Sequence, residues 1–170
     1  LGPVGENMSD MIVSAYSYSD MLIPEIHFVN DDTAFAVGDS RLTVFKGNQT
    51  PVDGAGHMFD KEIQAVFYGD KCVGLIFGSD DAEHTYKLEV YNTDGKRITD
   101  YYFDMDYTDI FFEEKDFVIY NESECMIVTY GGTEKFNGTF SKAVKLMLPS
   151  NGTYRYTTVT GSSIDTIQLK

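Results

Sequence analysis

The side chains best suited to chemistry in this chain are carboxylates crowded into two short stretches. Asp104-Met105-Asp106-Tyr107-Thr108-Asp109 puts three acids into six positions, and Asp80-Asp81-Ala82-Glu83-His84 sets three acids beside an imidazole. Hard cations such as calcium gather several oxygen ligands at close range, which makes Asp104, Asp106 and Asp109 the candidate metal ligands. The spacing departs from a helix–loop–helix calcium loop. Counted from Asp104, the sixth position is Asp109 where that loop needs Gly, and the twelfth is Lys115 where it needs Glu. A solvated linker between repeating units is the plainer reading of this run, and a polar loop between strands is the plainer reading of residues 80–84.

Other catalytic signatures are missing from the sequence. His27, His57 and His84 lie far apart, with no His-x-x-x-His or Cys-His spacing for zinc. Ser-His-Asp triads assemble in space rather than along the chain, but no Gly-x-Ser-x-Gly elbow marks a nucleophile. No Gly-x-x-x-x-Gly-Lys-Ser/Thr phosphate loop is present either. We therefore expect no catalytic residues and no cofactor, with calcium as the one candidate ion. Cys72 and Cys125 sit inside apolar runs and read as small buried hydrophobes rather than a disulfide framework.

Five of the seven Asn residues, Asn7, Asn48, Asn121, Asn137 and Asn151, stand in Asn-x-Ser/Thr. A secreted glycoprotein is one reading of that excess. Turn chemistry is the other, because Asn, Gly, Ser and Thr all favour turns.

The elements that must carry these residues are short strands. Asn92-Thr93-Asp94-Gly95 separates the alternating run Tyr86–Tyr91 from Arg97–Phe103, a hairpin signal. Ahead of it, Ile63–Phe67 and Cys72–Phe77 are divided by Gly69-Asp70-Lys71. Four strands in about forty residues is the unit of a β-propeller blade. Comparable runs recur at Ile23–Val29, Thr33–Val37, Arg41–Phe45 and, weakened by Gly54 and Gly56, residues 51–59. They return at Thr108–Phe112, Phe117–Tyr120, Cys125–Tyr130 and Glu134–Phe140, then at Val144–Leu148, Tyr154–Val159 and Ile164–Leu169. The large apolar residue before each first turn falls at Phe28, Phe67, Phe112 and Leu148, separated by 39, 45 and 36 positions.

No 3.6-residue periodicity is sustained anywhere. The fold expected is all-β with almost no helix: a β-propeller or propeller fragment of about four four-stranded antiparallel blades. A β-sandwich is the rival, since it also uses many short strands at regular spacing. We expect a flexible lead-in over 1–10 and one propeller-like domain over 11–170, with units near 20–60, 61–104, 105–140 and 141–170. The last unit lacks a fourth strand, and the strand expected over 11–19 is the natural candidate to complete it.

The stretch Leu88-Glu89-Val90-Tyr91-Asn92-Thr93-Asp94-Gly95-Lys96 resembles the repeat of quinoprotein-type (PQQ-like) propellers, where a strand and an Asp/Asn turn lead through Gly-Lys into the outer strand. Those repeats place a Trp soon afterwards, and this chain has none. The Gly-His and Trp-Asp marks of WD40 repeats are missing too. Over most of residues 11–170 the chain is similar to uncharacterised propeller-like proteins of Gram-positive gut bacteria. That resemblance implies a cell-surface location, with an N-terminal membrane segment these residues lack.

Composition bounds the partners. A formal charge of −14 repels nucleic acid and anionic membranes. No run approaches the length of a membrane span, and the opening Leu1 suggests a fragment or a processed chain. The expected function is a non-catalytic binding or interaction scaffold at the bacterial cell surface, with a protein or carbohydrate partner and homodimerisation through sheet edges. The alternatives are a cation-dependent hydrolase or other enzyme using the acidic rim loops, and a secreted glycoprotein interaction domain.

Overall fold

The computed structural model describes residues 22–23, 25–47 and 56–169. These hold fifteen strands and no helix: β1 (Glu25–Asn30), β2 (Thr33–Val37), β3 (Arg41–Lys46), β4 (Gly56–Met58), β5 (Ala65–Gly69), β6 (Cys72–Gly78), β7 (Tyr86–Asn92), β8 (Arg97–Phe103), β9 (Asp109–Phe112), β10 (Asp116–Tyr120), β11 (Glu124–Thr129), β12 (Glu134–Thr139), β13 (Val144–Pro149), β14 (Arg155–Thr160) and β15 (Ile164–Gln168). The connections are too short for a crossover, so consecutive strands pair antiparallel. Four sheets result: β1 to β4, β5 to β8, β9 to β12, and a last one that among the described residues holds β13 to β15. Phe28, Phe67, Phe112 and Leu148 fall in β1, β5, β9 and β13, the first strand of each sheet. The period read from the sequence is thus the period of the sheets. The lead-in over 1–10 and the strand expected over 11–19 lie outside the described residues.

Burial explains why some runs are continuous and others alternate. β2 and β10 are buried at every position, and β6 at all but its last. Such strands meet water on neither face, so both of their faces are apolar. β12 alternates between exposed and half-buried positions, which suits a strand with one solvated face. Third-to-fourth-strand turns repeat the same chemistry. Asn92 accepts the N–H of Gly95 through its carbonyl at 2.9 Å, and Gly95 has φ 72°. Thr129 accepts the N–H of Gly132 at 2.8 Å, and Gly132 has φ 81°. Glycine holds both places because a left-handed backbone excludes most other residues.

The chain divides into two compact units, Leu1–Gly78 with Leu88–Ile98, and Ser79–Lys87 with Thr99–Lys170. The first is built on Phe35, Val37, Leu42, Val73, Leu75, Phe77 and Tyr91, drawn from β2, β3, β6 and β7. The core of the second is Val118, Tyr120, Cys125, Ile127, Val144, Met147 and Tyr156, from β10, β11, β13 and β14. In each unit the cluster fills the space between two sheets. A large aliphatic or aromatic side chain fully buried this way contributes roughly 1.5–3 kcal/mol. Both cysteines are buried and neither forms a disulfide; burial pushes the Cys125 thiol up to about 12. No helix among the described residues is long and apolar enough to cross a membrane.

Candidate functional site

In the second unit a cleft of about 430 Å³ opens between the end of β8 and strands β11 and β12. β8 supplies Tyr101, Tyr102 and Phe103, and the chain leaving it supplies Asp104 and Met105. Glu124 and Met126 come from β11, Asn137 from β12, and His84 from the loop before β7. The apolar floor is deep: Phe103, Met105 and Met126 expose 2%, 9% and 8% of their surface. Tyr101 is anchored by donating its hydroxyl to Met126 Sδ at 3.2 Å and by an edge-on contact with Phe117. Burial holds its phenol above the usual range, with the charge of Glu134 adding to the effect. Tyr102 lies near the His84 ring, at 5.9 Å between centroids, and the Lys87 ammonium stands 5.5 Å over it.

The two carboxylates of the cleft are each fixed through one oxygen. Asp104 Oδ1 accepts the Thr85 N–H at 2.7 Å and the Thr85 hydroxyl at 3.1 Å. Glu124 Oε1 accepts Asn121 Nδ2 at 3.2 Å. Asn121 in turn is fixed by its own turn, where its Oδ1 accepts the N–H groups of Ser123 and Glu124 at 2.7 and 2.9 Å. Asn137 donates Nδ2 to Glu134 at 3.3 Å. His84 pairs through Nδ1 with Asp81 at 2.9 Å, and Asp81 also caps the Glu83 N–H at 3.0 Å. Those two bonds, the Glu83 one foremost, hold the Asp81 carboxyl below its ordinary range.

The three candidate metal ligands are turned to different partners. Asp104 faces the cleft and Thr85. Asp106 Oδ1 accepts the Tyr86 hydroxyl at 3.1 Å, and its backbone carbonyl accepts Asn121 Nδ2 at 2.7 Å. Asp109 accepts the Ile110 N–H at 2.8 Å and the Tyr120 hydroxyl at 3.5 Å. Among the described residues no group of three or more His, Cys, Asp or Glu side chains is placed to hold a metal ion. Of the other histidines, His27 stacks on Tyr68 at 4.1 Å, and His57 Nε2 meets the Gly95 carbonyl at 2.5 Å.

The second unit also contains an ionic cluster that no sequence motif marks. Lys135 Nζ reaches Asp116 at 3.0 Å and the Tyr154 hydroxyl at 2.6 Å, while Tyr156 donates to Glu113 at 3.3 Å. Burial raises the Glu113 carboxyl, and the Tyr156 bond pulls it part of the way back. Asp116 is 5% exposed, so this cluster serves to carry a carboxylate into the core.

Of the residues that line the cleft, only Asp104 and His84 stand out in the sequence as chemical candidates. Glu124, Tyr101 and Tyr102 carry no local signal, and Asn137 carries only its Asn-x-Ser/Thr context. At Asn121 the amide is engaged by the turn and by Glu124, which accounts for the residue by local structure. Asn7 and Asn48 lie outside the described residues, and Asn151 stands in the exposed turn before β14.

The architecture has solved counterparts. A crystal structure of BBS1N in complex with ARL6DN, soaked with mercury, superposes with a TM-score of 0.57 at 10% identity, covering 86% of this chain and 50% of that one. The crystal structure of BamB from Moraxella catarrhalis gives a TM-score of 0.50 at 13% identity, covering 83% and 41%. Both are propellers, and at such identities the likeness shows the fold alone: this chain has the fold of a β-propeller fragment. It spans about half the length of the BBS1N chain it matches. No curated protein matches the sequence. A family model matches residues 1–169, and the chain belongs to that family, the family of unknown function DUF5711.

Proposed function

We propose that the chain is a non-catalytic recognition module whose β8–β11–β12 cleft engages a segment of a protein partner. The observation that carries this reading is the preorganised cleft. Its floor is buried sulfur and aromatic carbon, and each carboxylate is held by a bond that leaves the second oxygen without a partner among the described residues. Such a site loses little ordering entropy on binding. A protein partner is favoured over a carbohydrate because one propeller of the same fold, BBS1N, is crystallised in complex with ARL6DN. The resemblance to propeller-like proteins of Gram-positive gut bacteria adds the cell surface as the place where this recognition operates.

Methionine methyl groups offer a direct test, because Met105 and Met126 line the cleft while Met58 lies in the other unit, 62% exposed. With ¹³C-methyl-methionine labelling, a peptide ligand should shift Met105 and Met126 and leave Met58 in place. The reading fails if peptide and oligosaccharide panels both leave those methyls unmoved, or if a ligand is chemically converted during the titration.

A further inference from the structure

Resting on that recognition reading, we infer that the cleft is built for a cationic side chain, a lysine-type ammonium presented by a peptide. The lining is one-sided in its charge: Asp104 and Glu124 are carboxylates, and no cationic Lys or Arg stands among them. Asp104 Oδ2, Glu124 Oε2 and Asn137 Oδ1 are acceptors without a partner among the described residues. An ammonium only donates, three times over, and matches three acceptors.

The apolar part fits as well. A lysine carries a four-carbon stem before its charge, and the unbranched, polarisable side chains of Met105 and Met126 line the cleft beside Phe103 to receive it. Tyr101 and Tyr102 add ring faces, which attract cations through their quadrupole. The formal charge of −14 draws any basic segment inward, but the named acceptors fix where it stops. A metal ion is the poorer fit, since only Asp104 and Glu124 bring carboxylates to the cleft and no cluster of three is formed among the described residues.

The test uses Lys-Gly-Lys amide as probe, with Glu-Gly-Glu amide, chitotriose and calcium chloride as comparison arms, read on the labelled methionine methyls. The tripeptide should shift Met105 and Met126 with a saturating isotherm. D104N/E124Q should weaken it at least tenfold, whereas D70N/E114Q, removing equal charge from exposed positions, should change it less than twofold. Should the first pair fail to fold, E124Q alone carries the same comparison. Equal losses in both pairs would reduce the effect to the general acidic field and overturn the assignment. Chitotriose shifting the methyls where the tripeptide does not would overturn the cation inference and keep the recognition module. Calcium shifting them in place of the tripeptide, or no response to any of the four probes, also overturns it.

Discussion

Tyr120 tests whether the second unit is held together as described. It lies on β10 with 1% of its surface exposed, and its hydroxyl accepts the backbone N–H of Met147, on β13, at 3.2 Å. The same hydroxyl donates to Asp109 on β9 at 3.5 Å. Met147 is wholly buried. Tyr120→Phe removes one oxygen and leaves the ring, so the packing is unchanged and the Met147 N–H loses its acceptor. A buried donor left unmet costs about 1–3 kcal/mol, and the long bond to Asp109 adds little, for a total near 2 kcal/mol. In a chain of this length that lowers Tm by about 4–8 °C. Urea unfolding followed by far-UV circular dichroism gives the free energy, and amide exchange at Met147 gives the local cause. A loss under about 0.5 kcal/mol with unchanged protection at Met147 would show that Tyr120 does not join β10 to β13.

Three further outcomes follow from the geometry. Because burial raises the Glu113 carboxyl above its ordinary 4.5, ionising it opposes folding; its contribution is complete below that value and fades as pH rises through the raised one. Tyr156→Phe removes the bond that lowers it, so the cost of this substitution should be larger at pH 7 than at pH 4 in urea titrations, and equal costs would reject the linkage. Cys125, with its thiol pushed up to about 12, should stay unreactive toward a disulfide reagent at pH 8 until urea unfolds the chain. At Gly138 an added methyl would stand 2.7 Å from Phe136 Cζ, so Gly138→Ala should destabilise by about 1 kcal/mol as that ring shifts, and a neutral result would show free space beside β12.

The sheet pattern is legible in the sequence because turn residues and burial leave strong local marks. Gly95 and Gly132 stand where the backbone must turn left-handed, and β6 reads as an unbroken apolar run because neither of its faces meets water. β4 reads weakly and is described over Gly56–Met58, where a Cβ on Gly56 would strike the Leu42 carbonyl at 2.8 Å. That glycine marks close strand approach, a signal which from sequence alone looks the same as a break. The cleft is much harder to see. Its residues come from four separate stretches, and nothing local links His84, Tyr102, Glu124 and Asn137. Asp104 attracts notice through its neighbours Asp106 and Asp109, yet its companion in space is Glu124.

Turn chemistry and site chemistry meet at Asn121. As a turn residue it satisfies the Ser123 and Glu124 N–H groups, which is why an Asn belongs at the start of that hairpin. Its amide nitrogen then bridges the Asp106 carbonyl, at 2.7 Å, and the Glu124 carboxylate. One side chain thus ties the segment after β8 to the start of β11, the two sides of the cleft. A carboxylate in its place, as in Asn121→Asp, would keep the turn acceptors but has no donor for the bridge, so the two functions separate at this position. With the amide gone, Glu124 would face a like charge and turn away, and the cleft would lose an acceptor while the hairpin remained. The polar turn residues of this chain are therefore not interchangeable, even where the repeat pattern treats them as equivalent punctuation.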